Sequence, residues 1–312
     1  PTGEVLGFWV GHQFDSLANK LSFNHFQGIQ RLKNSNYLLL TANGDTGALL
    51  HVVELASRQS SGAFGTNIQA DGVPPAEDRI VANIVLSEAY NHAGGIQAVD
   101  NILAISLEDG HYSKIIFFDV EKPQNPQKLA TEISRKNKGA GAVSFFKQKA
   151  GSEVFVVLVK GADVDLYVSS STDLNAATFE LIASWQAIEL QAEIEGDVHF
   201  GNYQNINALR LANGQMYLFG LHNNTRSWLR VFSRDYADLF RFEMGNGKPV
   251  FTKIAKKRFE CQEGFLKKRD CNFDAGAGVY VDAQNRLFIY AVAHEPADGF
   301  VTFVEYTAAA MQ

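Results

Sequence analysis

The chain is poor in cysteine, proline, methionine and tryptophan, and it has no long apolar run. Of its 312 residues only two are Cys, seven are Pro, three are Met and three are Trp. Because no run approaches the roughly 20 apolar residues that a transmembrane helix needs, no membrane span is predicted. There is also no Lys/Arg-rich run, and the net charge is −6. We therefore expect neither nucleic acid nor an anionic membrane as a partner.

The two cysteines, Cys261 and Cys271, flank one presumptive loop. They form either a disulfide, which implies an oxidising compartment, or two free thiols without a role; the flanking position favours the disulfide. The chain begins at Pro1 rather than at Met, which is compatible with removal of an upstream segment. Together these features predict a secreted or extracytoplasmic protein.

What the sequence does contain is a repeat that carries histidines. The clearest copies are His25-Phe-Gln-Gly-Ile-Gln30 and His92-Ala-Gly-Gly-Ile-Gln97, and a degenerate third copy is Asn202-Tyr-Gln-Asn-Ile-Asn207. Each copy opens a module of four runs rich in Val, Ile, Phe, Tyr and Leu, separated by Gly, Asn, Asp and Pro, which are strand and turn signals. Five such modules predict an all-β fold, a five-bladed β-propeller with four antiparallel strands per blade.

The modules predict a single propeller domain over residues 1–312. Its blades span approximately 25–88, 92–134, 139–187, 202–257 and 275–306. The last module has only three strand-like runs, and we expect the N-terminal run 4–10 to complete it, which closes the ring and removes the last exposed edges. Residues 57–78, rich in Gly, Ser, Ala and Pro, are predicted to be a surface insertion loop. Residues Trp228–Ser233 are predicted to form the third strand of blade 4.

Blade 2 resembles a known repeat. Its stretch Lys114-Ile-Ile-Phe-Phe-Asp119-Val, followed by Glu-Lys-Pro123-Gln-Asn-Pro126-Gln-Lys-Leu, is similar to the LVIVD repeat of bacterial, often extracytoplasmic, propeller proteins. In that pattern an apolar strand ends in Asp-Val and then turns through two prolines. The resemblance covers about one blade, since the other blades lack the prolines. It implies the propeller fold and says little about activity, because propellers host many functions.

The histidines map unevenly onto this architecture. In a four-stranded blade, the loops before the first strand and after the second strand emerge on one face. Seven of the eight histidines map to that face, and only His51 falls elsewhere, within a strand. We predict four of them as catalytic or metal-binding residues: His25, His92, His222 and His294. Residues predicted to bind the ligand are His111, His199, Gln30, Gln97, Asn207, Tyr203, Asn223 and Glu295.

These residue types permit two kinds of chemistry at the mouth of the central channel. Neutral imidazoles ligate divalent transition metals, and a single histidine can act as a general base. The sequence thus predicts a His-lined, possibly metal-dependent active site, a hydrolase or lyase acting on a small polar molecule or a saccharide. Carotenoid-cleaving dioxygenases and some polysaccharide lyases resemble this chain only in gathering histidines at a propeller mouth.

Three interpretations that compete with this active site stay open. The histidines can be structural, each bonded to a backbone carbonyl. The propeller can be a non-catalytic module that binds a ligand, a glycan or a protein. Blade 1 also has no Asn-Asp-Pro-type opening of the kind that five-bladed glycosidases carry, which counts against a glycosidase.

A polar ring is also expected deeper in the channel. It would be formed by inward-facing residues of the first strands: Gln30, Gln97, Ser144, Asn207 and Tyr280.

Overall fold

The structure is a computed structural model, and it describes eleven ranges of the chain: 4–9, 23–44, 47–55, 79–150, 152–186, 201–211, 213–223, 235–245, 248–259, 271–293 and 300–307. Within these ranges the chain forms five four-stranded antiparallel sheets, arranged as the blades of a propeller. The predicted fold class is confirmed. The described residues include no helix that is long and apolar enough to cross a membrane.

Twenty strands make up the five sheets. In chain order they are β1 (Glu4–Trp9), β2 (Phe23–Arg31), β3 (Tyr37–Gly44), β4 (Gly47–Glu54), β5 (Arg79–Ser87), β6 (His92–Val99), β7 (Ile102–Glu108), β8 (Tyr112–Asp119), β9 (Gln127–Lys136), β10 (Ala142–Ala150), β11 (Ser152–Lys160), β12 (Asp163–Ser169), β13 (Phe179–Gln186), β14 (Asn205–Arg210), β15 (Met216–Asn223), β16 (Asp235–Gly245), β17 (Lys248–Phe259), β18 (Cys271–Val281), β19 (Leu287–Ala293) and β20 (Phe300–Thr307). Blades 1 to 4 are β2–β5, β6–β9, β10–β13 and β14–β17, and blade 5 is β18–β20 with β1.

The N-terminal strand closes the ring. β1 pairs antiparallel with β20, in a register that runs from Glu4 opposite Glu305 to Trp9 opposite Phe300. Blade 5 therefore takes its outermost strand from one end of the chain and its other three from the opposite end. This pairing, which the sequence predicted, satisfies the edge of β20 with backbone hydrogen bonds.

The core lies between the blades. Each pair of neighbouring blades, including blades 5 and 1, encloses one cluster of buried apolar side chains. Because a blade packs on both of its faces, its middle strands are apolar on both, and β3 is buried at seven of its eight positions. Aromatic rings meet across these interfaces, with centroids 6.2 Å apart for Phe117 and Phe145 and 5.9 Å apart for Phe146 and Phe242.

The first strands of the blades crowd around the axis, and glycine makes this possible. A Cβ added at Gly94 of β6 would clash with the carbonyl oxygen of Gly141 ahead of β10 and would lie 2.7 Å from the Oγ of Ser106. A Cβ at Gly278 of β18 would clash with the carbonyl oxygen of Ile29 in β2. These glycines therefore let neighbouring blades approach closely at the axis.

Some predicted boundaries differ from the structure. The third strand of blade 4 is β16, which begins at Asp235, whereas Trp228–Ser233 was predicted and lies outside the described residues. β16 pairs with the whole length of β15, from Met216 opposite Phe242 to Asn223 opposite Asp235, and this pairing makes it the third strand of the blade. Residues 57–78 and Cys261 also lie outside the described ranges, so the predicted loop and disulfide stay predictions.

The stretch of blade 2 that resembles the LVIVD repeat forms an ordinary hairpin. β8 ends at Asp119, whose Oδ1 accepts the backbone amide of Glu121 at 2.8 Å, and β9 resumes at Gln127 after the two prolines. The structure supports the propeller fold that the resemblance implied, and it does not show membership of that repeat family.

Candidate functional site

The first strands of the blades begin, and the second strands end, at one end of the central channel. Here this end is called the histidine mouth, and it is defined by His25 at the start of β2, His92 at the start of β6 and Glu108 at the end of β7. His92 and Glu108 are directly opposite each other in the register of the two strands. The antiparallel hairpin of blade 2 thus brings an imidazole and a carboxylate together.

His92 and Glu108 form a close, partly exposed pair. The Nδ1 of His92 lies 2.8 Å from the Oε1 of Glu108, and the two side chains are 26% and 21% exposed. The other carboxylate oxygen of Glu108 accepts the backbone amide of Ala140 from blade 3 at 2.6 Å. The hydrogen bond from His92 holds the pKa of Glu108 below its usual value, although burial opposes this. Glu108 is therefore an ionised, fixed carboxylate that orients His92.

His25 lies beside this pair. Its ring centroid is 6.2 Å from that of His92, at an interplanar angle of 50°. Asn43, at the end of β3, donates its Nδ2 toward the Nε2 of His25 at 3.4 Å, while its Oδ1 accepts the backbone amide of Ala93 at 3.2 Å. The Asn43 side chain therefore links His25 of blade 1 to the first strand of blade 2.

Lys160 approaches the same mouth from blade 3. It ends β11, is only 6% exposed, and donates its ammonium to the carbonyl of Gly161 at 3.1 Å and to the Oδ1 of Asn202 at 3.3 Å. Burial lowers the pKa of Lys160 to about 8, and attraction to Glu108 and Asp163 partly opposes this shift. A buried lysine with a depressed pKa beside a His–carboxylate pair is typical of functional sites.

His222 lies in a separate polar network inside blade 4. The carboxylate of Asp238 accepts the hydroxyl of Tyr203 at 2.8 Å and lies 2.9 Å from the ammonium of Lys253. The Nε2 of His222 is 3.5 Å from the same carboxylate oxygen. The imidazole also stacks on Tyr236, with centroids 5.5 Å apart. These contacts hold the pKa of Asp238 below its usual value, against the effect of burial.

Asp235, at the start of β16, is a buried carboxyl with a raised pKa. Burial raises its pKa to about 6, although it accepts the backbone amide of Phe273 at 3.0 Å and the side-chain amide of Asn223 at 2.8 Å. Asn223, predicted to bind the ligand, therefore donates to Asp235. Tyr203, predicted for the same role, is 2% exposed and bonded to Asp238.

The predicted channel amides link blades across the axis. Gln97 of blade 2 donates its Nε2 to the carbonyl of Ala208 in blade 4 at 2.6 Å, and its Oε1 accepts the amides of Ala208 at 2.9 Å and Phe145 at 3.2 Å. Asn207 donates to the carbonyl of Ile96 at 3.4 Å. Because blades 2 and 4 are not neighbours, these bonds cross the channel and occupy it below the histidine mouth.

The remaining predicted residues fall in two groups. His111 is exposed at the tip of the β7–β8 hairpin, where Asp109 accepts the backbone amides of His111 at 2.9 Å and Tyr112 at 2.7 Å. His199, His294 and Glu295 lie outside the described ranges. Among the residues the structure describes, no group of three or more His, Cys, Asp and Glu side chains is arranged to hold a metal ion.

Sequence reasoning missed Glu108 and Lys160. Both stand at the ends of second strands, the position from which His222 was selected, so the same rule applied to charged residues of every type would have found them. The Asp238–Lys253 pair had no such signal. Asp238 and Lys253 belong to different strands, and only the packing of blade 4 brings them into contact.

Comparisons with known proteins give fold-level likeness only. No protein family and no curated protein sequence matches the chain. Among solved structures, the α-L-arabinofuranosidase PaAbf62A from Podospora anserina, solved with cellotriose, is 9% identical with a TM-score of 0.49, covering 98% of this chain and 95% of that one. A GH62 α-L-arabinofuranosidase catalytic domain from Coprinopsis cinerea is 10% identical with a TM-score of 0.47, covering 99% and 97%. A thermostable family-43 glycoside hydrolase is 12% identical with a TM-score of 0.44, covering 91% and 89%. At these identities and TM-scores the likeness says nothing about activity.

Proposed function

We propose that the histidine mouth is the active site of an enzyme that acts on a saccharide or another small polar molecule, by hydrolysis or by elimination. The observation that carries the proposal is the 2.8 Å contact between His92 and Glu108 in two partly exposed side chains. A carboxylate that accepts the Nδ1 proton of an imidazole fixes its tautomer and raises the basicity of the other nitrogen. The Nε2 of His92 is then the general base.

The neighbouring groups suit either reaction. In hydrolysis, His92 takes a proton from the attacking water, the water oxygen bonds to the carbon under attack, and the bond from that carbon to the leaving oxygen breaks with its electron pair on that oxygen. In elimination, it takes a proton from the carbon next to a carboxyl or carbonyl group, and the bond to the leaving oxygen breaks with its electron pair on that oxygen. In both cases negative charge develops on the leaving oxygen, and the ammonium of Lys160, which feels the charge of Glu108, would supply a positive charge that stabilises it. His25, whose ring lies beside that of His92, would line the same site.

The first experiment separates the two reactions. The protein is incubated with neutral and acidic oligosaccharides, and reducing ends and the ultraviolet absorbance of unsaturated products are followed in parallel. Glu108→Gln and His92→Gln are each expected to lower kcat by about 10²–10⁴-fold, the usual contribution of a positioned base. Glu121→Gln is the matched control, because Glu121 is an exposed glutamate outside the histidine mouth. Equal turnover in Glu108→Gln, His92→Gln and the parent protein would refute the proposal. Glycan binding without turnover would favour the non-catalytic binding module.

A metal-dependent form of the same site is a further part of the proposal. Two imidazoles, His25 and His92, lie side by side, and a transition-metal site would take its other ligands from residues outside the described ranges, such as His294. His222 would have to leave its contact with Asp238 to take part. Elemental analysis with and without a chelator tests this form. A stoichiometric metal that is lost in His92→Ala supports it, and activity in fully metal-free protein overturns it.

A secreted or extracytoplasmic location also remains a proposal. The presumed pairing of Cys261 and Cys271, which favours an oxidising compartment, supports it. Mass spectrometry of protein alkylated without reduction tests the pairing. Loss of two hydrogens at these cysteines is the expected result, and alkylation of both thiols in protein isolated from its native compartment contradicts it.

A further inference from the structure

The opposite end of the channel carries a second concave site. The first strands end there, and their hairpins surround a cavity of about 480 Å³, here called the distal cavity. Every blade contributes a lining residue; one from each is Gln30, Gln97, Phe146, Leu209 and Val281. A volume of this size is in the range of pockets that hold small organic ligands. The amides that cross the axis at Gln97 separate the distal cavity from the histidine mouth.

The rim of the distal cavity is positively charged in a chain whose net charge is −6. Its cationic lining residues are Arg31, Lys33, Lys147 and Arg210, and its acidic ones are Asp100 and Asp282.

Both acidic groups are already engaged. Asp100 pairs with Lys147 at 2.6 Å. Asp282 accepts the side chain of Arg286 at 2.7 Å and its backbone amide at 2.8 Å, which fixes a turn. No carboxylate in the described part of the chain pairs with Lys33 or Arg210, both of which are exposed. The fourth cation, Arg31, is only 6% exposed and lies over the ring of Tyr280 at 4.6 Å. The exposed excess of positive charge therefore belongs to Lys33 and Arg210, on blades 1 and 4, and it attracts an anion.

Gln30, at the floor of the cavity, carries an unsatisfied hydrogen-bond acceptor. Gln30 donates its Nε2 to the carbonyl of Arg31 at 2.9 Å and to that of Val279 at 3.2 Å, and these two bonds fix the orientation of the amide. Its Oε1 is buried and has no partner within the described residues. A buried carbonyl oxygen left without a donor costs free energy, so the site favours a ligand that brings a hydroxyl. Phe146 and Leu209 supply apolar walls for its carbon skeleton.

We propose that the distal cavity binds a small hydroxylated organic anion of the sugar-acid class. The carboxylate of the ligand lies between Lys33 and Arg210 at the rim, a hydroxyl donates to the Oε1 of Gln30 at the floor, and the ring packs against the apolar wall. This site is independent of the proposed catalysis, because it lies at the other end of the axis.

The test is calorimetric titration of the full chain with glucuronate, with two matched ligands as controls. Glucose has the hydroxyls without the charge, and cyclohexanecarboxylate has the charge and ring without the hydroxyls. Saturable binding of glucuronate, with both controls weaker by about tenfold, is expected from the loss of one charged contact or one hydrogen-bonded group. Equal binding of glucose or of cyclohexanecarboxylate would overturn the proposal, as would no binding of glucuronate.

Variants assign the bound molecule to this cavity. The double substitution Lys33→Gln with Arg210→Gln changes two exposed side chains and is expected to weaken glucuronate binding by about tenfold or more and to reduce its salt dependence. Lys122→Gln, an exposed lysine outside the cavity, is the control and should leave binding unchanged. Binding that survives the double substitution but is lost in Glu108→Gln would place the ligand at the histidine mouth and refute the distal site. Binding of glucuronate that persists in a Glu108→Gln protein without catalytic activity supports the distal site.

Discussion

His92 and His51 show how burial sets the role of one residue type. His92 is 26% exposed, and its Nδ1 lies 2.8 Å from the carboxylate of Glu108. His51 lies in the middle of β4, is 2% exposed, and its Nδ1 lies 2.5 Å from the Oδ1 of Asn83 on β5. Burial lowers the pKa of His51 to about 4. His51 is thus a neutral core residue, and His92 is the partly exposed histidine that we propose as the general base.

The shifted pKa of His51 predicts a loss of stability in acid. The folded state binds this proton less readily than the unfolded state, whose pKa is near 6.5, so stability falls as the pH drops below 6.5 and the loss is complete below about 4. Between about pH 7 and pH 5 we expect the parent protein to lose about 2 kcal/mol of unfolding free energy through this residue. The measurement is urea unfolding of the parent and of His51→Gln at both pH values.

The comparison of the two proteins isolates His51 from Asp235. The carboxyl of Asp235 has a raised pKa, about 6, so its contribution to the free energy of unfolding is largest when it is protonated. That contribution is lost as the pH rises through 6, which is the opposite pH dependence to that of His51. Because Asp235 is present in both proteins, its contribution cancels in the difference between their stabilities. Parallel stability curves for His51→Gln and the parent would show that His51 is not the source of the acid sensitivity.

At the scale of the strand, the inner strands decide how closely the blades can meet. β6 carries two consecutive glycines, Gly94 and Gly95, and both are approached by backbone or side-chain oxygens of other blades. The carbonyl of Gly141 also accepts the amide of Gly95 at 2.9 Å, a backbone bond between blades 2 and 3. The His-x-x-Gly repeat therefore serves axial packing as well as the placement of His25 and His92.

Gly94→Ala is expected to destabilise the propeller by about 1–3 kcal/mol, because the added methyl group meets backbone that cannot move without parting two blades. Gly141→Ala is the matched control, since a Cβ there meets nothing closer than the carbonyl oxygen of Lys160 at 3.8 Å. Chemical denaturation of both variants measures the effect. A Gly94→Ala protein as stable as Gly141→Ala would mean that the axis can relax and that the close approach is not required.

At the scale of the whole molecule, the fold is a ring of five sheets that must be closed between blade 5 and blade 1. Non-covalent contacts make this closure. β1 and β20 make that closure through six paired positions. The apolar cluster between blades 5 and 1, which includes Phe303, Tyr290 and Phe26, is formed only when the ring is closed. Strand pairing at the outer edge and side-chain packing between blades are thus coupled.

Deleting residues 1–10 is expected to lower the thermal midpoint and to promote self-association, because β20 becomes an open edge strand. Differential scanning calorimetry and size-exclusion chromatography measure the two effects. A synthetic peptide of residues 1–10 added in trans should restore the midpoint, and a scrambled peptide should not. A truncated protein that stays monomeric with an unchanged midpoint would contradict this role of β1.

Prediction from sequence worked best where it used spacing along the chain. The repeat at His25 and His92 located two blades and the end of the channel where these side chains meet, and the ring centroids are 6.2 Å apart. It worked less well where contacts depend on packing. His222 was grouped with His25 and His92, yet its contacts are with Asp238, Tyr236 and Tyr203 inside blade 4. Positions at the same end of two blades can share a face without sharing neighbours.

The sequence by itself determined the number of blades, the four strands of each blade, the closure by β1 and the end of the channel at which His25 and His92 lie. Repeat spacing and the alternation of apolar runs with turns are local properties, and they suffice for these features. Only the tertiary structure decided which groups touch: Glu108 with His92 and with Ala140, and Gln97 with Ala208 across the axis. Those contacts depend on strand register and on the distance between blades. The pKa values of Lys160 and Asp235 are shifted by burial, and burial arises only when the blades pack together.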